Sequence, residues 1–282
     1  MSTTRPPKGY IFLFAGPAGS RKSTCALSGE GITGYHEFDP RSFARAAAGV
    51  QIDKSRVRVS YHPAPAVTDH LRDLGTVQVG RGGGVSTTAS RHMTGWREGY
   101  EAFINAYCDN LEDPDVQQIV WDTETRNWQM TQAGWHQQMQ EAQAAENKAE
   151  LERMDPLKFT EAKKRYLSNT DAAALYGKHL ILIDHVKDEY VGDVKTGKVI
   201  PDGMKDAPGN ADLQLEFAVR NNTCYATVRK IAGPGKFIGM EIENPTLPML
   251  IDLLDSIAAI TDMGLDMPDS PDEVIATAKV LA

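Results

Sequence analysis

The sequence predicts an α/β fold: a mainly parallel central sheet flanked by helices, with antiparallel hairpins added at the C-terminal end. Three observations predict it. Short apolar runs that read as buried strands alternate with helical patterns. A glycine-bearing loop joins the first run to a helix, as in a βαβ unit. Toward the C-terminus, the segments 213–220, 223–231 and 236–242 are separated by Asn221-Asn222 and Gly233-Pro234-Gly235, which reads as hairpins.

The chain has 282 residues, 41% of them hydrophobic and 24% charged, enough for a well-buried core in one large domain. One domain is expected over residues 1–261, with 262–282 as a tail carrying a short helix that could dock on a neighbour. Thirty basic against 38 acidic residues give a formal charge of −8, which excludes holding nucleic acid by bulk positive charge alone. Cys25, Cys108 and Cys224 are too few and too scattered for a disulfide scaffold or a zinc site, so a reducing, cytoplasmic compartment is expected. No apolar run approaches the roughly 18 residues of a membrane span, and Met1 to Lys8 lacks a signal-peptide apolar region.

The first element is Tyr10-Ile11-Phe12-Leu13-Phe14-Ala15, read as a buried strand. Gly16-Pro17-Ala18-Gly19-Ser20-Arg21-Lys22-Ser23-Thr24 follows and leads into a helix. Strand, glycine-bearing loop, Lys-Ser-Thr and helix is the arrangement that cradles phosphates: consecutive backbone N–H groups face the anion. Lys22 would reach the β- and γ-phosphates, the Ser23 hydroxyl would bind Mg²⁺, and Thr24 would contact the phosphates. Arg21 stands where this pattern has its second glycine, a position that favours a backbone costly to other residues. Arg21 either adds a phosphate contact of its own or weakens nucleotide binding.

Further strand ends supply the rest of a site. Gln118 to Glu124 is an apolar run ending in Asp122, the expected second holder of the metal's shell. Tyr35 to Pro40 is another short run, and Asp39, Glu37 and Glu124 are all candidates to orient or deprotonate an attacking water. Asp39-Pro40 also reads as the start of a helix over 41–48. The run 179–185 ends in His185, placed to sense a γ-phosphate and pass its presence to the loop Val186 to Asp212. That loop has no clear hydrophobic period and is long enough to be functional. Its four lysines, Lys187, Lys195, Lys198 and Lys205, face six acidic residues, so it carries no evident DNA footprint; Lys205 is the one to watch.

Helices are expected over 94–110, 127–153, 158–176 and 245–261. Trp128 and Trp135 share a helix face as core anchors, and Lys163-Lys164-Arg165 reads as a solvated face. Gly80-Arg81-Gly82-Gly83-Gly84 reads as a flexible loop or a mobile lid.

The order of these pieces resembles the RecA-like ATPase core, specifically short phage-encoded nucleotide-binding proteins of the single-strand annealing and recombination type. The matching stretches are Gly16 to Thr24, Val120 to Thr123, the strand ending at His185, and Thr227-Val228-Arg229-Lys230-Ile231-Ala232-Gly233-Pro234. The resemblance implies ATP and Mg²⁺ as ligands, held by Lys22, Ser23, Thr24 and Asp122. It places Asp39 or Glu37 near the water-activating acid and His185 at the γ-phosphate sensor. It matches 186–212, with its four lysines, to the single-stranded-DNA loop. Arg229 and Lys230 would act in trans on a neighbouring protomer's nucleotide. Implied partners are single-stranded DNA and further copies of the chain in a ring or filament, with a single-strand-binding protein as an added candidate. If phage-encoded, the chain would work in the host cytoplasm.

The function expected is therefore an ATP-binding and ATP-hydrolysing recombination or annealing protein, DNA-stimulated and oligomeric. The alternative is a nucleotide-gated adaptor or loader with weak hydrolysis, docking on a partner protein, which Arg21 and the acidic balance favour. A helicase-type or packaging motor ranks third, since no second domain is apparent.

Overall fold

The computed structural model describes residues 9–48, 52–65, 77–79, 85–87, 94–148 and 159–281. The expectations for Met1 to Lys8 and for Gly80 to Gly84 lie outside them.

β1 (Ile11–Ala15) is apolar at every position and buried on both faces, as a central parallel strand requires. It is followed by α1 (Lys22–Ala26), β2 (Ile32–Glu37), α2 (Ser42–Ala48) and β3 (Val57–Tyr61). β4 (Val77–Val79) and β5 (Val85–Thr87) pair antiparallel as a separate two-stranded sheet. α3 (Trp96–Glu112), β6 (Val116–Asp122), α4 (Glu124–Ala145), α5 (Phe159–Leu175) and β7 (His179–Asp184) complete the middle of the chain. Then come β8 (Val186–Val191), β9 (Val194–Pro201), α6 (Ala207–Asn210), β10 (Leu213–Arg220), β11 (Thr223–Ile231), β12 (Glu241–Glu243), α7 (Leu247–Asp262) and α8 (Pro271–Leu281).

Eight strands form one sheet in the order β12-β11-β10-β1-β7-β6-β2-β3. From β10 to β3 every pairing is parallel; the β10–β11 and β11–β12 pairings are antiparallel, so only β11 runs against the other strands. This is the expected mainly parallel, helix-flanked sheet with antiparallel strands from the C-terminal part. The chain adds strands to one side of β1 first and then places β10, β11 and β12 on the other side. The strand order therefore reverses at β1, and in such sheets ligands bind beyond the carboxyl ends at the reversal.

Side-chain alternation builds a core on each face. Phe12, Phe14, Ile181, Leu215 and Phe217 pack with Leu250, Leu253 and Ile257 of α7. Ile11, Leu13, Trp121 and Leu182 pack with Phe103 and Tyr107 of α3 and Tyr166 of α5. Val274 of α8 is buried in the first of these cores, so the end of the chain packs back on α7. Trp128 packs edge-on against Tyr166, whereas Trp135 carries the Arg165 guanidinium over its ring at 4.3 Å. Among the described residues no helix is long and apolar enough to cross a membrane.

Three expectations need correction. The stretch 186–212 is not an irregular loop: β8 and β9 form a hairpin that turns at Gly192 (φ 62°), followed by α6. Both hairpin faces are largely exposed, so no buried face imposed an alternating pattern. The strand expected over 236–242 is a 3₁₀ turn (Gly235–Phe237) and the short β12. β3, an edge strand with a mostly exposed pattern, was not foreseen.

Beside β2 and β3, His36 is wholly buried, with its Nδ1 3.0 Å from Nε2 of His62 and its Nε2 3.1 Å from the Asn110 amide nitrogen. Burial lowers His36 to about 3, with His62 adding to the shift, and burial lowers His62 to about 4. Both are neutral in the fold, whereas an unfolded histidine titrates near 6.5. Below that pH the unfolded chain takes up protons that the folded chain refuses, so stability falls as pH drops from about 6.5 toward 4. The expected loss is about 2 kcal/mol per histidine at pH 5 relative to pH 7.5. Thermal or denaturant unfolding across this range checks it, and His62→Gln should flatten the dependence.

Candidate functional site

The carboxyl ends of β1, β7, β6 and β2 lie side by side, and the loop after β1 closes a cavity of about 450 Å³ over them. Residues 18–24 of the loop line it, together with Asp39, Ser42, Arg45, Asp122 and His185. Its size lies within the roughly 300–1,000 Å³ of ordinary ligand pockets.

The loop takes its path because two positions accept what most residues cannot. A Cβ at Gly16 would sit 2.6 Å from the Phe217 carbonyl oxygen, and Gly19 has φ +78°. Arg21 occupies the same left-handed region (φ 69°, ψ 19°) just before α1, with an exposed side chain. The residue standing in place of the usual glycine thus keeps glycine's conformation. The N–H groups that open a helix lack intrahelical acceptors, and here they belong to Arg21, Lys22, Ser23 and Thr24.

Lys22 is buried beneath this loop. Its Nζ donates to the Gly16 carbonyl (2.7 Å), the Pro17 carbonyl (2.9 Å) and Ser20 Oγ (3.2 Å). Burial lowers it to about 8, against the pull of the Asp122 and Asp184 carboxylates. Ser23 Oγ donates to Asp122 Oδ2 at 2.7 Å, joining the two residues assigned to the metal. Tyr35 also donates to Asp122 Oδ2. Burial raises the Asp122 carboxyl, while the hydrogen bonds from Tyr35 and Ser23 oppose that shift.

The three candidate acids part company. Asp39 lines the cavity, with Oδ2 3.4 Å from His185 Nε2 and Oδ1 accepting from Arg126 Nε at 3.2 Å. The His185 contact, and then the Arg126 guanidinium, hold its carboxyl below the usual range despite partial burial. Glu37 instead caps the start of α2, accepting from the Phe43 N–H (2.9 Å) and the Ser42 hydroxyl (3.3 Å). Glu124 is fully buried away from the cavity lining, and both its oxygens accept from the Met204 N–H (3.1 and 3.2 Å). A Cβ at Gly203 would overlap the Glu124 carboxylate. Burial and the neighbouring Glu124 push Asp184 well above the usual carboxyl range.

The remaining candidates lie outside the cavity of their own chain. Arg229 Nε donates to Glu216 Oε2 at 2.8 Å, and Lys230 Nζ donates to the carbonyls of Pro208 (3.0 Å) and Gly209 (2.6 Å). In the hairpin, Lys187 pairs with Asp202 (2.8 Å) and Lys195 with Asp188 (2.7 Å). Lys198 and Lys205 are exposed, with no side-chain partner among the described residues. Tyr35, Ser42 and Arg126 were missed. Tyr35 lies in the run Tyr35 to Pro40, but nothing in its spacing shows that it reaches Asp122.

The left-handed backbone at Arg21 costs roughly 1–2 kcal/mol for a residue with a Cβ. Arg21→Gly should therefore raise unfolding free energy by about 0.5–1 kcal/mol after glycine's greater unfolded entropy is counted, and Arg21→Ala should not. Denaturant midpoints of the two variants check this.

No family model and no curated protein matches the chain. Among solved structures it is similar to the crystal structure of the RadB recombinase, with 13% identity and a TM-score of 0.43, covering 84% of this chain and 87% of that one. A likeness that distant assigns no residue, and the site stands on its own geometry.

Proposed function

We propose that the chain is a RecA-like, Mg²⁺-dependent ATPase of the recombination or annealing type, whose nucleotide state is coupled to single-stranded DNA in an oligomer. The observation that supports it is the buried Lys22 ammonium under a loop of free amide groups, next to the Ser23–Asp122 pair 2.7 Å apart. A hydroxyl and a carboxylate are hard oxygen donors, and Mg²⁺ takes few protein ligands beside phosphate and water. The donor set fits, and Mg²⁺ bound there would supply charge neutralisation to the β- and γ-phosphates.

The chain's own residues would act as follows. Loop N–H groups of Ala18, Gly19, Arg21, Lys22, Ser23 and Thr24 bind and orient the phosphates, the Ser20 N–H being taken by the Pro17 carbonyl. Lys22 exchanges its two carbonyl partners for phosphate oxygens, a stronger, charge-assisted contact. Asp39, ionised at neutral pH and lining the cavity, is the acid placed to orient the attacking water and accept its proton. His185 contacts Asp39 and begins the β8–β9 hairpin, so a change at Asp39 is felt at the hairpin's root. Lys198 and Lys205 are the hairpin-side cations free to meet DNA phosphates. Arg229 and Lys230 would reach a nucleotide through a second copy that presents its cavity to β11.

A second reading has its own support. Lys187 and Lys195 are neutralised within the hairpin, whose tip exposes Tyr190, Val191 and Val194. An apolar, charge-balanced tip suits docking on a protein, as in a nucleotide-gated adaptor.

The test is ATP turnover with and without single-stranded DNA, for wild type and Lys22→Ala. The expected result is DNA-stimulated turnover, lower by about 100-fold or more in the variant. Nucleotide binding without turnover, and partner binding insensitive to salt, would favour the adaptor.

A further inference from the structure

A second cavity, of about 190 Å³, opens beside the first at the carboxyl ends of β2 and β3. Among the described residues its lining includes four rings, Phe38, Tyr61, His62 and Trp96, beside aliphatic Pro40, Pro63, Ala64 and Met130. Arg126 and Gln129 of α4 add a guanidinium and an amide. The volume is below the roughly 300–1,000 Å³ of pockets that enclose a whole drug-sized ligand, so it suits one small ring system. Flat rings and a guanidinium offer stacking surfaces, and base–aromatic stacking is a recurrent way of holding single strands.

The polar groups here are mostly donors. The Asn110 amide nitrogen donates to Nε2 of His36, since a neutral His36 with an acceptor at Nε2 carries its proton on Nδ1. His36 Nδ1 then donates to His62 Nε2, which leaves the His62 proton on Nδ1. No partner for that N–H is found among the described residues. Gln129 Oε1 accepts from Arg126 Nη1 at 3.5 Å, so its NH₂ group remains to donate. Arg126 contributes only donors. A donor-rich rim over a small aromatic slot matches a ring edged with carbonyl oxygens.

We propose that this cavity is a second ligand site that takes a pyrimidine base, stacked on Trp96 and Tyr61 with its ring carbonyls facing Arg126, Gln129 and His62. The site goes beyond the ATPase reading and does not depend on it. It adjoins the nucleotide cavity, however, because Arg126 also donates to Asp39 at 3.2 Å. A base that engages the guanidinium competes for the contact holding Asp39.

Stacking on Trp96 quenches its fluorescence, which gives a readout separate from turnover. Oligo(dT), oligo(dA), thymidine and deoxyadenosine are titrated into the full chain. The expected result is a saturable quench by the thymine ligands at concentrations at least fivefold lower than by the adenine ones. A tenfold or greater advantage of oligo(dT) over thymidine identifies the base of a strand as the source; equal affinities identify the free nucleoside. The quench should vanish in Trp96→Phe and weaken at least fivefold in Tyr61→Ala and Gln129→Glu, at two exposed positions whose replacement leaves the core intact. Lys22→Ala should keep it, so failure of the nucleotide site and failure of this one are distinguishable. No quench by any of the four ligands, no preference for thymine, or a quench unchanged in Tyr61→Ala and Gln129→Glu would overturn the proposal.

Discussion

Four adjacent parallel strands ending in one row is the constraint on which the cavity depends. β1 delivers the phosphate loop, β7 delivers Asp184 and His185, β6 delivers Asp122, and β2 delivers Glu37 and then Asp39. These residues are far apart in the chain and meet because the register sets Ala15 beside Asp184, and Asp122 beside both Ile183 and Glu37. On β1, β6 and β7 successive side chains pack into opposite cores, so a slip by one residue would exchange them between the two faces of the sheet.

The row of strand ends also buries charge, which a fold tolerates only with partners. Lys22 has two carbonyls and a hydroxyl; Asp122 has a tyrosine and a serine hydroxyl. Behind them Glu124 holds the Met204 N–H at the hairpin's exit, and burial together with Glu124 pushes the adjoining Asp184 carboxyl up. The same polar layer therefore shapes the cavity and anchors both ends of the hairpin. His185 lies at its root and Met204 just past its return.

Much of this is legible in the sequence. Tyr10 to Ala15 followed by a loop with Lys22-Ser23-Thr24 carries its own structural meaning, because few other arrangements explain a buried strand, glycines and Lys-Ser-Thr together. Asp122 followed from an apolar run ending in a carboxylate. The choice among Asp39, Glu37 and Glu124 was not legible. All three lie within two residues of a strand end, and only side-chain direction separates a helix cap, a buried anchor and a cavity wall. The β8–β9 hairpin escaped because neither face is buried, so hydrophobic alternation had nothing to record. The aromatic cavity escaped because it joins residues from four separate segments, with no spacing pattern to mark it.

The central claim is that Lys22 sits in the loop as a phosphate ligand, and proton linkage tests it most directly. In the free protein Lys22 titrates near 8, held down by burial. A bound polyphosphate stabilises the charged form and raises that value, so binding at pH 8 should draw in about half a proton. Calorimetric titration of Mg-ATP at pH 8, in two buffers of different ionisation enthalpy, measures it. The account predicts one site per chain with net proton uptake. Absence of binding, or binding with no uptake, would contradict it.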